Sequence, residues 1–209
     1  MADAKKITKL LLKKYPDPRI ALNFTSPLEL LVATILSAQC TDIRVNEVTK
    51  SLFRKYKTAR DYASADLTVF EEEIRPTGFF RNKARSVIGC CQKLVKDFKG
   101  RVPDTLEALI TLPGIGRKTA NAILGSAFNK QAIAVDTHVL RVSNRLGIAH
   151  SDNPDRVEDE LVRQLPGDKL TKINLALILH GRETCAARKP KCMVCVLYRE
   201  CEWPEKPAV

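Results

Sequence analysis

The C-terminal cysteines constrain the fold more than any other feature of this sequence. Four of the seven cysteines fall within the last 25 residues and are spaced C-x6-C-x2-C-x5-C: Cys185, Cys192, Cys195 and Cys201. An odd cysteine total, in a chain without a secretory-type leader, argues against a disulfide framework. Structural zinc is usually held by two close cysteine pairs, and here only one C-x2-C is present. The spacing therefore predicts a thiolate metal site, and the chemistry alone leaves the metal open.

Basic residues are concentrated in one segment of the chain. The formal net charge is +11, and the span from Arg81 to Arg101 holds seven basic residues against one acid, Asp97. Such a stripe favours a polyanionic partner, nucleic acid before membrane, although a merely soluble basic surface is the alternative. Apolar runs such as residues 28–36 are too short to span a bilayer. Without a signal-like N-terminal segment, the sequence predicts a cytoplasmic prokaryotic protein.

Apolar residues recur with helical periodicity along almost the whole chain, which predicts an all-α fold. Ser26-Pro27 followed by Glu29 indicates a capping box that opens an apolar, central helix. Asp42 is predicted to cap the next helix, and Asp104 with Glu107 repeats the pattern before a short helix.

Two further patterns concern the interior of the protein. The run QAIAVD, residues 131–136, is the only strand-like segment. Cys40, Cys90 and Cys91 lie inside apolar patterns, so they are predicted to be small core residues rather than ligands.

A glycine-rich turn separates two predicted helices in 112-LPGIGRKTANAIL-124. A Walker loop is excluded because Arg117 stands between Gly116 and Lys118, and a dinucleotide fingerprint fails because Thr119 occupies its third glycine position. Gly114 and Gly116 allow the backbone to turn sharply and to present N–H groups to a phosphate. Such a hairpin grips one DNA strand without reading its sequence. An ordinary helix–helix corner is the alternative.

Lys118 and Asp136 are the candidate catalytic pair. A lysine in the first turn of a helix is disfavoured by the macrodipole. A solvated lysine that tolerates this small penalty is the alternative interpretation. The same dipole, with Arg117 beside it, favours the neutral and nucleophilic amine. Asp136 follows eighteen positions later and offers a carboxylate to accept a proton or offset positive charge. Simple N-capping of the following helix is its alternative role.

Several of these motifs together resemble one family. The runs LPGIGRKTANAIL and AIAVDTHVLRVSNRLG are similar to those of the helix–hairpin–helix DNA glycosylases. The segments LNFTSPLELLVATILSAQCTD, GFFRNKA and LILHGRETCAARKPKC extend the resemblance to essentially all 209 residues. The chain as a whole looks like the endonuclease III family.

The resemblance implies a fold of two helical domains with a cleft between them. Residues 21–130 are expected to form a six-helix barrel domain that contains the helix–hairpin–helix at about 106–127. Residues 1–20 and 131–209 are expected to form a discontinuous domain around a [4Fe–4S] cluster held by the four C-terminal cysteines.

The resemblance also implies an activity, which is that of a bifunctional DNA glycosylase and abasic-site lyase of base excision repair. By this resemblance, Lys118 forms a Schiff base at the sugar, Asp136 assists, and β-elimination nicks the strand on the 3′ side. The implied partner is duplex DNA with oxidised pyrimidines or abasic sites, bound by a monomer.

Further DNA contacts follow from family positions. Gln39 matches the glutamine that enters the stack opposite the estranged base, and Phe79 occupies a wedge position where relatives often carry Leu. Arg188, Lys189 and Lys191 lie on the loop between the first two cysteines and can meet a phosphate.

Two other interpretations remain open. Mismatch-specific glycosylases for adenine or thymine share the superfamily, but they lack the lysine found here as Lys118, and the adenine enzyme carries an extra C-terminal domain. A non-catalytic iron–sulfur DNA-binding protein would use the hairpin only as a clamp.

Overall fold

The computed structural model describes residues 2–207. Over that part of the chain, eleven α-helices and four short 3₁₀ turns follow one another without a β-strand, as the sequence predicts. The α-helices are α1 Ala4–Lys14, α2 Pro27–Leu36, α3 Asp42–Lys55, α4 Ala59–Ala63, α5 Leu67–Ile74, α6 Phe80–Phe98, α7 Leu106–Leu109, α8 Arg117–Ala127, α9 Thr137–Arg145, α10 Pro154–Gln164 and α11 Leu170–Glu183. No helix of residues 2–207 has both the length and the apolar character needed to cross a bilayer.

The chain divides into two compact units. The central unit is Ile20–Phe128, and the terminal unit combines Met1–Arg19 with Asn129–Val209. Each unit buries apolar side chains of its own.

Helix α2 lies at the core of the central unit. Six of its ten residues are buried: Leu30, Leu31, Val32, Ala33, Ile35 and Leu36. It packs against α3, α6 and α8, while α4 and α5 pack against α6. Because full burial of one leucine contributes about 1.5–3 kcal/mol, this helix supplies much of the unit's stability.

The terminal unit is built on α11. Helices α1 and α9 pack against it, and α10 packs against α9. Its core draws on both ends of the chain, since Ile7 and Leu11 of α1 lie in one cluster with Val139, Leu177 and Leu197. The N-terminal helix therefore belongs to the same core as the segment that carries the four C-terminal cysteines.

The helix starts confirm one sequence prediction and correct three others. The Ser26 hydroxyl accepts the backbone N–H of Glu29, as predicted for the cap of α2. The Glu29 carboxylate does not close the box at Ser26, however, because it accepts both the backbone N–H and the hydroxyl of Thr25.

Asp42 and Asp104 are not the caps of their helices. Thr41 caps α3 by accepting from the backbone N–H of Arg44, and Thr105 caps α7 by accepting from that of Ala108. In both places two capping residue types are adjacent, and the threonine, whose backbone is extended, takes the position.

The strand-like run 131–136 is extended but does not pair with a strand within residues 2–207. Its backbone donors are satisfied by side chains of α11 instead. The N–H of Ala132 donates to the Thr171 hydroxyl, and that of Ala134 to the Asn174 carbonyl oxygen. A buried extended segment needs partners for its peptide groups, and here a helix provides them.

The three cysteines of the central unit differ in burial. Cys90 and Cys91 are fully buried on α6, as predicted. Cys40 is only half-buried, so its assignment to the core was wrong. It directly follows the exposed residues Ala38 and Gln39 in the turn after α2.

Candidate functional site

The glycine-rich turn joins α7 to α8 in the central unit. The N–H of Leu112 donates to Leu109, and that of Ile115 donates to Leu112, so the turn is closed by its own backbone. Gly114 has a φ of +79°, a left-handed conformation that favours glycine. Gly116 precedes α8 without a side-chain cap. No capping side chain therefore occupies the N-terminus of α8, and an anion can approach it.

Lys118 is the second residue of α8 and is exposed. It takes part in no hydrogen bond or ion pair with the described residues, so its amine is available to a bound molecule. The side chain stands directly after the glycine turn, beside the uncapped N-terminus of α8. This arrangement places an unpaired primary amine next to a helix N-terminus that has no capping side chain.

Asp136 caps α9 in the terminal unit. Its Oδ1 accepts the backbone N–H groups of His138 and Val139, each at 2.8 Å. Oδ2 has no partner among residues 2–207, and the residue is half-buried. Asp136 therefore serves as the N-cap with one oxygen, and the other oxygen is not used by the cap.

The side chain of Arg141 anchors α9 to its surroundings. It donates to the carbonyl oxygens of Gly181 on α11 and Cys185, and it lies 3.2 Å from Nδ1 of His138. Because a guanidinium has only donors, Nδ1 of His138 is the acceptor and Nε2 carries the proton. The helix that Asp136 caps is thereby tied to the first of the four C-terminal cysteines.

A recess in the central unit is lined by three of the predicted DNA contacts, Gln39, Phe79 and Gly114. Gln39 and Phe79 both have positive φ, 52° and 47°. Neither is glycine, so each conformation is held against a steric cost by its surroundings. Phe79 is 64% exposed, which is unusual for an aromatic side chain on a folded domain.

The predicted phosphate contacts Arg188, Lys189 and Lys191 lie in the terminal unit. All three side chains are exposed and have no partner within residues 2–207. The loop is closed at its base, because the N–H of Lys191 donates to the carbonyl of Thr184. Three free cations therefore project from this short anchored loop, residues 186–191, which we call the cationic loop.

The four C-terminal cysteines line one cavity of the terminal unit. The same cavity is lined by Arg145, His180 and Trp203 among others. None of the four thiols forms a disulfide. Among residues 2–207 no three or more His, Cys, Asp or Glu side chains are close enough to share a single metal ion.

Side-chain nitrogens lie close to two of these sulfurs. Arg145 Nη1 donates to Sγ of Cys185 at 3.3 Å, and Nε2 of His180 lies 3.6 Å from Sγ of Cys195. Burial lowers the pKa of His180 to about 4, so the ring is neutral at pH 7. Burial raises the pKa of the Cys195 and Cys201 thiols. With raised pKa values these thiols stay deprotonated only when they bind a metal cation. The four cysteines therefore fit a thiolate-bound metal group.

Two residues of these sites escaped the sequence analysis. In the sequence, Arg145 cannot be distinguished from an ordinary helical arginine. Only the fold brings it against the loop that begins at Cys185. Lys83 is 5% exposed although lysine is rarely buried. The burial of Lys83 could have been predicted from the sequence, because residues 83, 87, 90 and 94 repeat at the spacing of one buried helix face.

Comparison with known proteins places these features in one superfamily. Residues 32–166 match the model of the HhH-GPD superfamily base excision DNA repair protein. The chain is 48% identical over 199 residues to Endonuclease III of Synechocystis sp., covering 95% of this chain and 91% of the relative. It is 42% identical to Endonuclease III of Escherichia coli, covering 91% and 90%.

Solved structures agree with the sequence relatives. A trapped Endonuclease III–DNA covalent intermediate, an estranged-adenine complex, superposes with a TM-score of 0.91 at 42% identity and covers 97% of both chains. A thermostable thymine-DNA glycosylase superposes with a TM-score of 0.88 at 26% identity, covering 96% of both chains.

Proposed function

Since the chain belongs to the endonuclease III family of base excision DNA repair proteins, we propose that Lys118 is its nucleophile. The family activity is that of a DNA glycosylase and abasic-site lyase. The observation that supports this role is the exposed Lys118 amine, which has no partner among residues 2–207 and follows the glycine turn at an uncapped helix N-terminus. A phosphate held at that N-terminus brings the neighbouring deoxyribose within reach of the amine.

The reaction is a displacement at the sugar followed by an elimination. The Lys118 Nζ–C1′ bond forms while the glycosidic bond breaks, and the departing base takes the electron pair and a proton. Opening of the sugar ring leaves an imine at C1′. The imine acidifies the C2′ proton, whose removal expels the 3′ phosphate and nicks the strand on the 3′ side of the lesion.

Asp136 assists this displacement with its second oxygen. Oδ1 is held by two backbone N–H groups, which fix the carboxylate in one orientation. Oδ2 is left to accept the amine proton or to offset the positive charge that develops on the sugar. Capping and catalysis are therefore compatible in one residue.

The damaged nucleotide must leave the stack before C1′ can be attacked. Gln39 and Phe79 line one recess, and we assign them to the space that the flipped nucleotide vacates. Phe79 is the aromatic wedge, and Gln39 faces the estranged base. Gly114 and Gly116 bind the backbone of the damaged strand, and Arg188, Lys189 and Lys191 bind a further phosphate.

Cys185, Cys192, Cys195 and Cys201 are assigned to a [4Fe–4S] cluster in the terminal unit. Four cysteines around one cavity, with an Arg145 N–H donated to one sulfur and the His180 ring beside another, provide the ligand set of such a cluster. Membership of the endonuclease III family supports the cluster over a single ion. When bound, the cluster would supply a rigid covalent centre that fixes the cationic loop. The terminal unit is accordingly assigned as the cluster domain and the central unit as the six-helix domain.

The substrate class proposed is duplex DNA with oxidised pyrimidines or abasic sites, bound by one copy of the chain. The bacterial relatives and the DNA partner are consistent with an enzyme of the prokaryotic cytoplasm. The similarity to a thymine-DNA glycosylase favours mismatch repair as the second candidate. Lys118 argues against it, because a glycosylase that uses water alone needs no amine at this position.

Borohydride trapping tests the proposal. The enzyme is incubated with duplexes carrying one oxidised pyrimidine, one abasic site or one G·T mismatch, and imines are reduced to stable amines. Wild type should form a covalent adduct with the first two duplexes, and Lys118→Gln should form none while it still binds them. Lys57→Gln, which changes another exposed lysine of the central unit, is the control. Base release from the G·T duplex without an adduct would favour the mismatch enzyme.

A further inference from the structure

Lys83 is buried in the first turns of α6, where a cation is out of place. The residue is 5% exposed, and the positive end of the helix dipole lies close to it. Its Nζ donates to the carbonyl oxygen of Thr77 at 2.7 Å, which is its only side-chain partner among residues 2–207. Burial lowers the pKa of this amine. An apolar side chain of the same length would be easier to bury, so stability alone does not explain a lysine here.

The contact closes the turn that carries Phe79. Thr77 is buried and Gly78 and Phe79 both have positive φ, 70° and 47°. The backbone N–H of Lys83 donates to Phe79, while its ammonium donates to Thr77, so one residue binds the turn at both ends. No side chain caps α6 at Phe79. The left-handed conformation of Phe79, which costs about 1–2 kcal/mol for a non-glycine residue, depends on these contacts.

The turn determines how Phe79 is presented. Lys83 lines the recess that Phe79 and Gln39 also line. Thr77 lies under the turn, whereas the Phe79 ring stands out from the surface. A wedge that is already in its inserting conformation loses less conformational freedom when it enters DNA.

We propose that Lys83 is a positioning residue that holds the Thr77–Phe79 turn, so that Phe79 is set as a wedge before DNA binds. This inference rests on the proposed function, in which Phe79 enters the stack. It assigns a role to a buried lysine that makes no contact with the reacting atoms.

A double-mutant cycle tests the coupling of Lys83 to Phe79. Single-turnover base release is measured for Lys83→Met, Phe79→Ala and the double variant, on a duplex with an oxidised pyrimidine. Lys83→Met should slow base release about tenfold, the factor expected when the wedge has to be ordered during DNA binding at a cost of about 1.4 kcal/mol. The double variant should be no slower than Phe79→Ala, because the ring through which Lys83 acts is gone. Multiplied rate reductions in the double variant would overturn the proposal.

A second readout follows wedge insertion directly. A 2-aminopurine placed opposite the lesion reports unstacking by its fluorescence. Lys83→Met should give a smaller fluorescence increase than wild type at saturating enzyme. Lys83→Gln, whose amide can donate to the Thr77 carbonyl, should give an increase between those of Lys83→Met and wild type. Lys57→Met is the matched control, because the Lys57 ammonium also donates to a backbone carbonyl, that of Phe53, but is exposed. An unchanged signal in Lys83→Met would contradict the proposal.

Two measurements separate this inference from its premise and from a role in folding. On a single-stranded abasic oligonucleotide, where no stack has to be opened, Lys83→Met should form the borohydride adduct as wild type does. Absence of an adduct with wild type itself would defeat the proposed function instead. The thermal midpoint of Lys83→Met should stay within about 4 °C of wild type. A fall of more than about 10 °C in both Lys83 variants would assign the residue to folding stability.

Discussion

The guanidinium of Arg145 lies 3.9 Å from the centroid of the Trp203 ring. From that position Nη1 donates to the Ala186 carbonyl at 2.9 Å and to the Cys185 sulfur at 3.3 Å. One side chain of α9 thereby joins the C-terminal segment to the start of the cationic loop. Arginine suits this place because its planar group stacks on a ring while its N–H groups donate in several directions.

Replacing Arg145 by lysine should weaken the attachment of Cys185 and the cationic loop to α9 without a change in charge. A lysine ammonium cannot stack on Trp203 and donate to Cys185 and Ala186 together. We expect retention of the proposed cluster against a chelator to fall about 10–100-fold, the usual effect of removing a partner of a metal ligand. The measurement is the decay of visible absorbance of the purified holoprotein. Arg156→Lys, an exposed arginine of the same unit, should decay as wild type, and equal decay of the Arg145 variant would contradict the prediction.

The cationic loop should contribute to the salt dependence of DNA binding. A variant with Arg188, Lys189 and Lys191 all changed to Gln removes three exposed charges. The slope of log affinity against log salt should become less steep by about 0.9, the contribution of the one phosphate assigned to these three cations. Swapping arginine and lysine at the same three positions keeps the charges and should keep the slope. Equal slopes for all three proteins would place the loop outside the DNA footprint.

Asp136 allows capping and catalysis to be separated by two substitutions. Asp136→Asn keeps an oxygen that can accept from His138 and Val139, so the thermal midpoint should change by less than about 3 °C. The variant has no free carboxylate oxygen, and base release should slow by about 10²–10⁴-fold. Asp136→Ala should show the same kinetic effect and an additional destabilisation of about 1 kcal/mol from the missing cap. Normal single-turnover rates in the Asn variant would show that the carboxylate only caps the helix.

Cys90 and Cys91 should resist alkylation in the folded protein. Both are fully buried, and burial raises the pKa of Cys90 to about 12 and that of Cys91 still further. Raised pKa values keep both thiols protonated at pH 8, and the thiolate is the reactive form. Mass spectrometry after iodoacetamide treatment should find label on half-buried Cys40 before denaturation and on Cys90 and Cys91 only afterwards. Labelling of the pair in native protein would contradict their place in the core.

Patterns that depend on neighbours in sequence were predicted well. The all-α fold follows from apolar periodicity, and the buried α2 follows from a helix that is apolar nearly all round. The Ser26 cap is also local, because donor and acceptor are three residues apart.

Features that depend on distant partners could not be predicted in this way. Choosing Thr41 over Asp42 as a cap requires the backbone dihedrals of the preceding turn. The run at 131–136 has an apolar, strand-like pattern, but its partners are side chains of α11 about 40 residues later. Arg145 illustrates the same limit, since its contacts with Cys185 and Ala186 join positions about 40 apart.

Gly114 should be the least replaceable residue of the hairpin, for two separable reasons. Its φ of +79° is unfavourable for any other residue, and a Cβ there would lie 3.0 Å from Cβ of Ser86. The backbone strain is about 1–2 kcal/mol and the overpacking about 1–3 kcal/mol, so Gly114→Ala should lower the thermal midpoint by roughly 10 °C.

The two effects are distinguished by adding Ser86→Gly, which removes the atoms that an alanine at position 114 would meet. Relative to Ser86→Gly alone, Gly114→Ala should then show only the backbone strain, about 1–2 kcal/mol. Gly116 is the control, because it has an ordinary φ of −92° and open space around its Cα. Gly116→Ser should match or exceed the wild-type midpoint, since serine is a good N-cap for α8. Equal midpoints for Gly114→Ala and wild type would show that the turn relaxes without cost. Gly114 could then not keep the recess that it lines with Phe79 and Gln39 in one shape.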